Sequence, residues 1–209
     1  DVNGEFLSRG ALAEALRTSS FWLLTIATGL RILAYSAITV HYVPIMVWKG
    51  VSEPRAAFLL AAQALLALPA HLLFGWLGDR VDKPRLMAGS LPIGIVALLF
   101  LIYGEKEWQL WFFIPLFTVV ESTFPLNWAT VGQFFGRKNF AKIRGAMGFI
   151  QTWGSVIGPV IAGAIYDRTR NYNSLLWGLS GLLLVISCLY AMVVEPKSQS
   201  RHGRPNSRF

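Results

Sequence analysis

Residues 56–85, AAFLLAAQALLALPAHLLFGWLGDRVDKPR, hold one complete element and the turn that closes it. Ala56–Leu77 runs for 22 residues without an Asp, Glu, Lys or Arg, and Gly78–Arg85 then packs five charges into eight residues. A hydrocarbon core about 30 Å thick takes ~20 apolar residues of helix. Lipid offers no water to backbone N–H and C=O groups, so a run of this kind must be a helix that crosses the bilayer. Five more such stretches lie on either side: Phe21–Val47, Leu86–Tyr103, Leu110–Phe134, Gly145–Tyr166 and Leu175–Val194. The third in chain order, Leu86–Tyr103, carries Pro92 and Gly94 and is expected to be the shortest. The fold class that follows is an all-α membrane protein with six transmembrane helices.

Composition agrees with this. Hydrophobic residues make up 54% of the chain and charged ones 14%, against roughly 25% charged in soluble domains. The net charge of +8 would fit a nucleic-acid partner, but its distribution argues against one. With the N-terminal segment in the cytoplasm and sides alternating, Arg9, Arg17, Arg80, Lys83, Arg85, Arg137, Lys138, Lys142, Arg144 and the tail cations fall inside. Lys49, Arg55, Lys106, Arg168 and Arg170 fall outside, and Arg31 lies within a helix. That asymmetry is the positive-inside rule. It places both termini in the cytoplasm, in a plasma membrane or a bacterial inner membrane, with lipid rather than nucleic acid as the partner.

Residues 1–19 read as a cytoplasmic lead-in or linker, 20–195 as the six-helix domain, and 196–209 as a basic disordered tail. The first apolar run is too long, and begins too late, for a cleavable signal peptide. Without an initiator Met, the sequence is expected to start mid-protein. Cys188, the one cysteine, is expected to be a small packing residue.

The six helices divide into two similar triplets. Gly75–Arg80 and Gly163–Arg168 both spell Gly-x-x-x-Asp-Arg at a helix exit, one on each side of the bilayer. Each triplet also has a charge deep in its first helix, Arg31 and Glu121, which precede Asp79 and Asp167 by 48 and 46 residues. Two three-helix units of opposite topology form the inverted-repeat plan of secondary transporters.

The turn after the second helix carries a resemblance. Gly75-Trp76-Leu77-Gly78-Asp79-Arg80-Val81-Asp82-Lys83-Pro84-Arg85 resembles the loop signature of the major facilitator superfamily, Gly-x-Leu-x-Asp-Arg-x-Gly-Arg-Arg/Lys. Gly75, Leu77, Asp79 and Arg80 match, Lys83 is conservative, and Asp82 and Pro84 depart. Here the glycine is expected to let helices approach, and the Asp and Arg to lock the cytoplasmic ends through a charge-assisted bond. Gly145, Gly154, Gly158, Pro159 and Gly163 in the fifth helix resemble a glycine-and-proline pattern of the same superfamily. Small residues at this spacing bring helices close, and an internal proline permits a bend. Thr39–Pro44 and the Tyr166-Asp167 exit with Tyr172 are similar to the monocarboxylate and organic-anion branch. The resemblance implies one six-helix half, the C-terminal one, of a twelve-helix fold, and so a missing N-terminal half as partner. It also implies that the first and fourth helices line a central cavity.

Arg31 lies about 16 Å into its helix, where a cation needs a partner or a ligand. A planar guanidinium suits a carboxylate, with Tyr35 on the same face. An ion pair with Glu121, or snorkelling, are the structural alternatives. Burial and a neighbouring Arg pull a carboxyl's proton affinity in opposite directions, so Glu121 is a candidate for proton coupling as well as for substrate contact, with Trp128 near its face. His41 is a second proton-coupling candidate, or a satisfied structural histidine. Gln63, His71, Asn127, Gln133, Gln151 and Trp153 are further polar or amphipathic positions within helices. The expected function is secondary transport of a small organic anion by alternating access, with or without H+, with no cofactor and no enzymatic activity.

Two other classes compete. One is a half-size or non-transporting subunit that pairs with another six-helix bundle. The other is an intramembrane serine protease, suggested by Gly178-Leu179-Ser180-Gly181, which would need a histidine base within reach; only His202 follows it in the chain. His41, His71 and Cys188 lack metal-ligand spacing.

Overall fold

The computed structural model describes residues 12–136 and 139–196. Most of the lead-in, the cations Arg137 and Lys138, and the tail beyond residue 196 lie outside the described residues. The helices of seven residues or more are α1 (Ser19–Val40), α2 (Tyr42–Trp48), α3 (Glu53–Gly78), α4 (Lys83–Tyr103), α5 (Glu107–Ser122), α6 (Phe124–Phe135), α7 (Phe140–Thr169) and α8 (Asn173–Ala191). There is no strand among the described residues. Among the described residues, six spans are long and apolar enough to cross a membrane, the fourth being α5 and α6 together. The third span is not the shortest: α4 has 21 residues and α8 has 19.

Local chemistry sets the ends. The Thr18 hydroxyl accepts the N–H of Phe21 at 3.3 Å and starts α1. Asp82 accepts the N–H of Arg85 at 3.0 Å, and Pro84 sits where its missing N–H costs nothing. This cap carries α4 three residues back from the apolar run into charged sequence. Two spans are interrupted, the first at His41 and the fourth at Thr123. Pro44 and Pro125 follow these breaks closely, and neither can donate a helical hydrogen bond.

The principal packings are α1 on α7, α3 on α5, α4 on α8, α1 on α8 and α4 on α5. Exchanging the first span with the fourth, the second with the fifth and the third with the sixth maps this set onto itself. Two equivalent three-helix units therefore build the bundle, and three crossings in each give them opposite topology.

The α1–α7 crossing is the tightest. A Cβ at Gly154 would strike the carbonyl oxygen of Gly29, and one at Gly158 the carbonyl oxygen of Leu33. Backbone meets backbone there, as small residues in lipid permit. Gly163 would only touch the His41 ring at 3.8 Å, and Gly145 meets nothing.

The signature turn departs from its expected mechanics. Gly75 faces open space, and the close approach falls on Gly78, whose Cβ would strike Leu126. Arg80 lies over Trp76, 3.8 Å from the ring centroid, and no ion pair joins it to Asp79 among the described residues. The bond that ties this turn to the fourth span is Lys83 Nζ to Gln133 Oε1, at 3.2 Å. Cys188 is exposed on α8 rather than packed.

Burial is uneven. Only 22% of the apolar window of α3, and of α7, is buried, against 39–50% in the other four spans. Leu65, Leu68 and Leu72 on α3, and Phe149, Trp153 and Val160 on α7, are exposed.

Candidate functional site

Arg31 is 3% exposed and points from α1 at the break between α5 and α6. Its Nη1 donates to the Val120 carbonyl at 3.1 Å and to Thr123 Oγ1 at 2.8 Å. The break makes this geometry possible, because backbone at membrane depth departs from a regular helix only where other groups satisfy it or it lines a cavity. The Phe124 ring lies 5.2 Å from the guanidinium carbon. Nε and Nη2 are buried and have no partner. Unpaired donors on a buried cation are costly, and Arg31 lines a cavity of ≈ 450 Å³ between α1, α5 and α7.

Tyr35 and Glu121 line the same cavity, as do His71 from α3 and Gln151, Thr152 and Ser155 from α7. Gln151 is 3% exposed, and its Nε2 is also without a partner. The Tyr35 ring stacks on Phe117 with centroids 6.0 Å apart, and its phenol lies within electrostatic reach of both Glu121 and Arg31. Glu121 is half-buried, and no ion pair joins it to Arg31 among the described residues. The simple structural pairing of these two charges is therefore not the arrangement found.

Trp128 lies elsewhere. Its ring packs edge-on against Phe124 and Phe140, with the Arg144 guanidinium 4.9 Å from its centroid, and it does not line the cavity. His41 is outside the cavity too. Its Nδ1 lies 3.0 Å from the Tyr172 hydroxyl and its Nε2 3.2 Å from the Pro159 carbonyl. Burial, then Tyr166 and Asp167, push the Tyr172 phenol up from its ordinary pKa, so it keeps its proton and can donate to Nδ1. Nε2 then carries the ring proton and donates to Pro159.

One turn before Arg31, Thr28 Oγ1 donates to Asn127 Oδ1 at 2.7 Å and lies 2.9 Å from the Tyr190 hydroxyl. A hydroxyl has one proton, so Tyr190 donates to Thr28. Three helices are joined this way, and Asn127 Nδ2 stays unpaired. Thr28, Thr123 and Tyr190 carry no sequence signal of their own. The one available cue is that Thr28 precedes Arg31 by a single helical turn. Ser180 donates to the Leu176 carbonyl at 2.8 Å, and neither described histidine bonds to it.

Comparison with known proteins follows the same lines. The profile of the Major Facilitator Superfamily matches residues 16–208. Among curated proteins, the chain is 25% identical over 185 residues to monocarboxylate transporter 11 of Homo sapiens, covering 82% of this chain and 38% of that protein. It is 25% identical over 192 residues to monocarboxylate transporter 12 of Xenopus laevis, covering 82% and 39%. For monocarboxylate transporter 12 of Homo sapiens the values are 23% over 192 residues, 86% and 36%. The chain thus spans under two-fifths of the length of these relatives.

Proposed function

Because the chain belongs to the major facilitator superfamily, and is an integral multi-pass membrane protein, we propose that it forms one half of a secondary transporter for a small organic anion. The cargo class is a monocarboxylate, moved by alternating access around a midplane site. The observation that carries this is Arg31, which lines a cavity and is buried with Nε and Nη2 unpaired. Two parallel N–H donors in one plane match the two oxygens of a carboxylate. Glu121, on the same wall, is the group that takes up the coupled proton. His41, with both ring nitrogens engaged, holds α1 to α7.

The exposed apolar faces of α3 and α7 fit a second six-helix bundle, with which the site closes. A bundle supplied by a separate chain would use the same faces, and crosslinks between α3 or α7 and a separate polypeptide would support that version. Both chain termini face the cytoplasm in this proposal, as the basic loops require.

The test is uptake by the whole transporter in proteoliposomes, with a panel of carboxylates and with or without a proton gradient. Carboxylate uptake that Arg31→Gln removes supports the proposal. Uptake of every anion untouched by Arg31→Gln refutes it.

A further inference from the structure

On α6 and α7 the lining of the Arg31 cavity stops at Phe124 and Gly148. The two helices run in opposite directions. One turn beyond these residues, about 6 Å toward the cytoplasm, stand Trp128 on α6 and Arg144 on α7. The Arg144 guanidinium lies 4.9 Å from the centre of the Trp128 ring. Trp128 meets Phe124 edge-on, with centroids 6.1 Å apart, and the Arg31 guanidinium lies 5.2 Å from the Phe124 ring. A pair of aromatic rings thus has a cation at each end.

The outer end has the features of a site. Arg144, Gly148, Gln151 or Thr152, and Ser155 follow at intervals of three or four residues, so Arg144 shares the α7 face that lines the cavity. A Cβ at Gly148 would meet nothing within 4 Å, which leaves the helix surface bare between Arg144 and that cavity. Trp128 Nε1 is buried without a partner, although a buried indole N–H usually finds one. Arg144 is exposed, and no hydrogen bond or ion pair engages its guanidinium among the described residues. A guanidinium held against an aromatic face keeps N–H donors free at its edge.

We propose that Trp128 and Arg144 form a second anion station, which holds a solute carboxylate on its way between Arg31 and the cytoplasm. This rests on the assignment of a carboxylate to Arg31. Arg144 draws the anion in, and the Trp128 N–H gives it one directed bond. A charge held by a single strong site leaves slowly, and a second, weaker site one turn away eases its passage. The ring walls exclude water and strengthen the field of both cations. An anionic lipid headgroup offers Arg144 the same chemistry, but the position of Arg144 on the cavity face favours the solute.

The experiment uses the whole transporter in phosphatidylcholine vesicles with the cytoplasmic face outward. Gly148→Cys is the reporter, and the other cysteines, Cys188 among them, are replaced by Ser. Modification is timed with two methanethiosulfonates, one carrying a sulfonate and one a trimethylammonium. The ratio of sulfonate to ammonium rates is expected to fall about fivefold or more in Arg144→Gln and to be largely retained in Arg144→Lys. Butyrate is expected to slow the sulfonate reaction and to keep doing so in Arg31→Gln, whereas Arg31→Gln with Arg144→Gln abolishes this protection. Trp128→Phe keeps a ring and removes the N–H, and is expected to weaken protection about fivefold at an unchanged size-exclusion profile.

A rate ratio indifferent to Arg144→Gln overturns the station. Protection lost in Arg31→Gln alone also overturns it, and leaves the carboxylate assignment standing with a single site. Protection that disappears when a third of the lipid is phosphatidylglycerol gives Arg144 to a headgroup and overturns it too. Failure of the carboxylate assignment is read separately, as uptake untouched by Arg31→Gln.

Discussion

The two broken spans treat their polar groups in opposite ways. At the first break, His41 uses both ring nitrogens, one on Tyr172 and one on the carbonyl of Pro159. Trp48 and Tyr166 pack around the same phenol, so the imidazole is enclosed with both nitrogens bonded. At the second break, Thr123 and the Val120 carbonyl take only Nη1 of Arg31, two further nitrogens are buried unpaired, and the residue lines a cavity. Both residues are ionisable groups within apolar sequence, and hydropathy treats them alike. What separates them is leftover hydrogen-bonding capacity next to empty space. A membrane-embedded polar group whose bonds are all made is structural, and one with donors to spare is equipped to receive a ligand.

The contrast can be broken most directly at Arg31. Replacing it with Gln removes a charged donor pair worth about 1.5–3 kcal/mol per bond, so carboxylate uptake should fall on the order of 100-fold. The thermal midpoint in detergent should change little, because loss of the two bonds made by Nη1 is offset by removal of two unpaired buried donors. Unfolding of Arg31→Gln, rather than loss of uptake alone, would make the two breaks equivalent and erase the distinction.

The α1–α7 crossing packs the helix that carries Arg31, and ends at His41, against α7. Gly158→Val puts side-chain atoms against the Leu33 carbonyl, an overpacking cost of about 1–3 kcal/mol. Its thermal midpoint should drop, with uptake lost in proportion. The control is Gly75→Ala, which meets nothing within 4 Å and should leave the midpoint where it was.

His41→Ala should cost about 1 kcal/mol for each of its two bonds, read as a lower midpoint. Uptake should keep its solute preference and its response to a proton gradient. If the gradient response vanishes at an unchanged midpoint, His41 belongs to the coupling machinery and the closed region is not merely structural.

The smallest effect is expected at Thr123→Val, which removes one acceptor from Nη1. A loss of about 1 kcal/mol in Arg31 positioning should appear as a rise in KM of a few-fold with little change in maximal rate. An unchanged KM would show that the Val120 carbonyl alone holds the guanidinium.

Much of the molecule was legible in its residues. The six spans follow from hydropathy, and the two triplets follow from the repeated Gly-x-x-x-Asp-Arg exits and the paired deep charges. Packing that survives exchange of the two triplets agrees with that repeat. Gly154 and Gly158 were legible as close-approach positions from their four-residue spacing. Gly75 was not distinguishable from Gly78, because which glycine meets Leu126 depends on the rotation of α3 against α6. No Asp79–Arg80 ion pair forms among the described residues, where Trp76, one turn back on the same exposed surface, offers Arg80 an aromatic face. Trp128 shares sequence neighbourhood with Glu121, but the helix break at Thr123 separates the two, and Arg144 and Phe140 hold the ring elsewhere.

By itself, the sequence determined that this protein is a six-span membrane bundle built twice, with an arginine and a glutamate deep in apolar surroundings. These are one-dimensional properties: a run of apolar side chains must become helix in lipid, and a repeat is visible as a repeat. Only the tertiary structure decided which nitrogens of Arg31 stay free, that His41 is spent, and that Glu121 lines the same cavity as Arg31. The bonding partners responsible lie 89 to 131 residues away in the chain. Hydrogen-bond satisfaction depends on distances of about 3 Å, which no local pattern specifies.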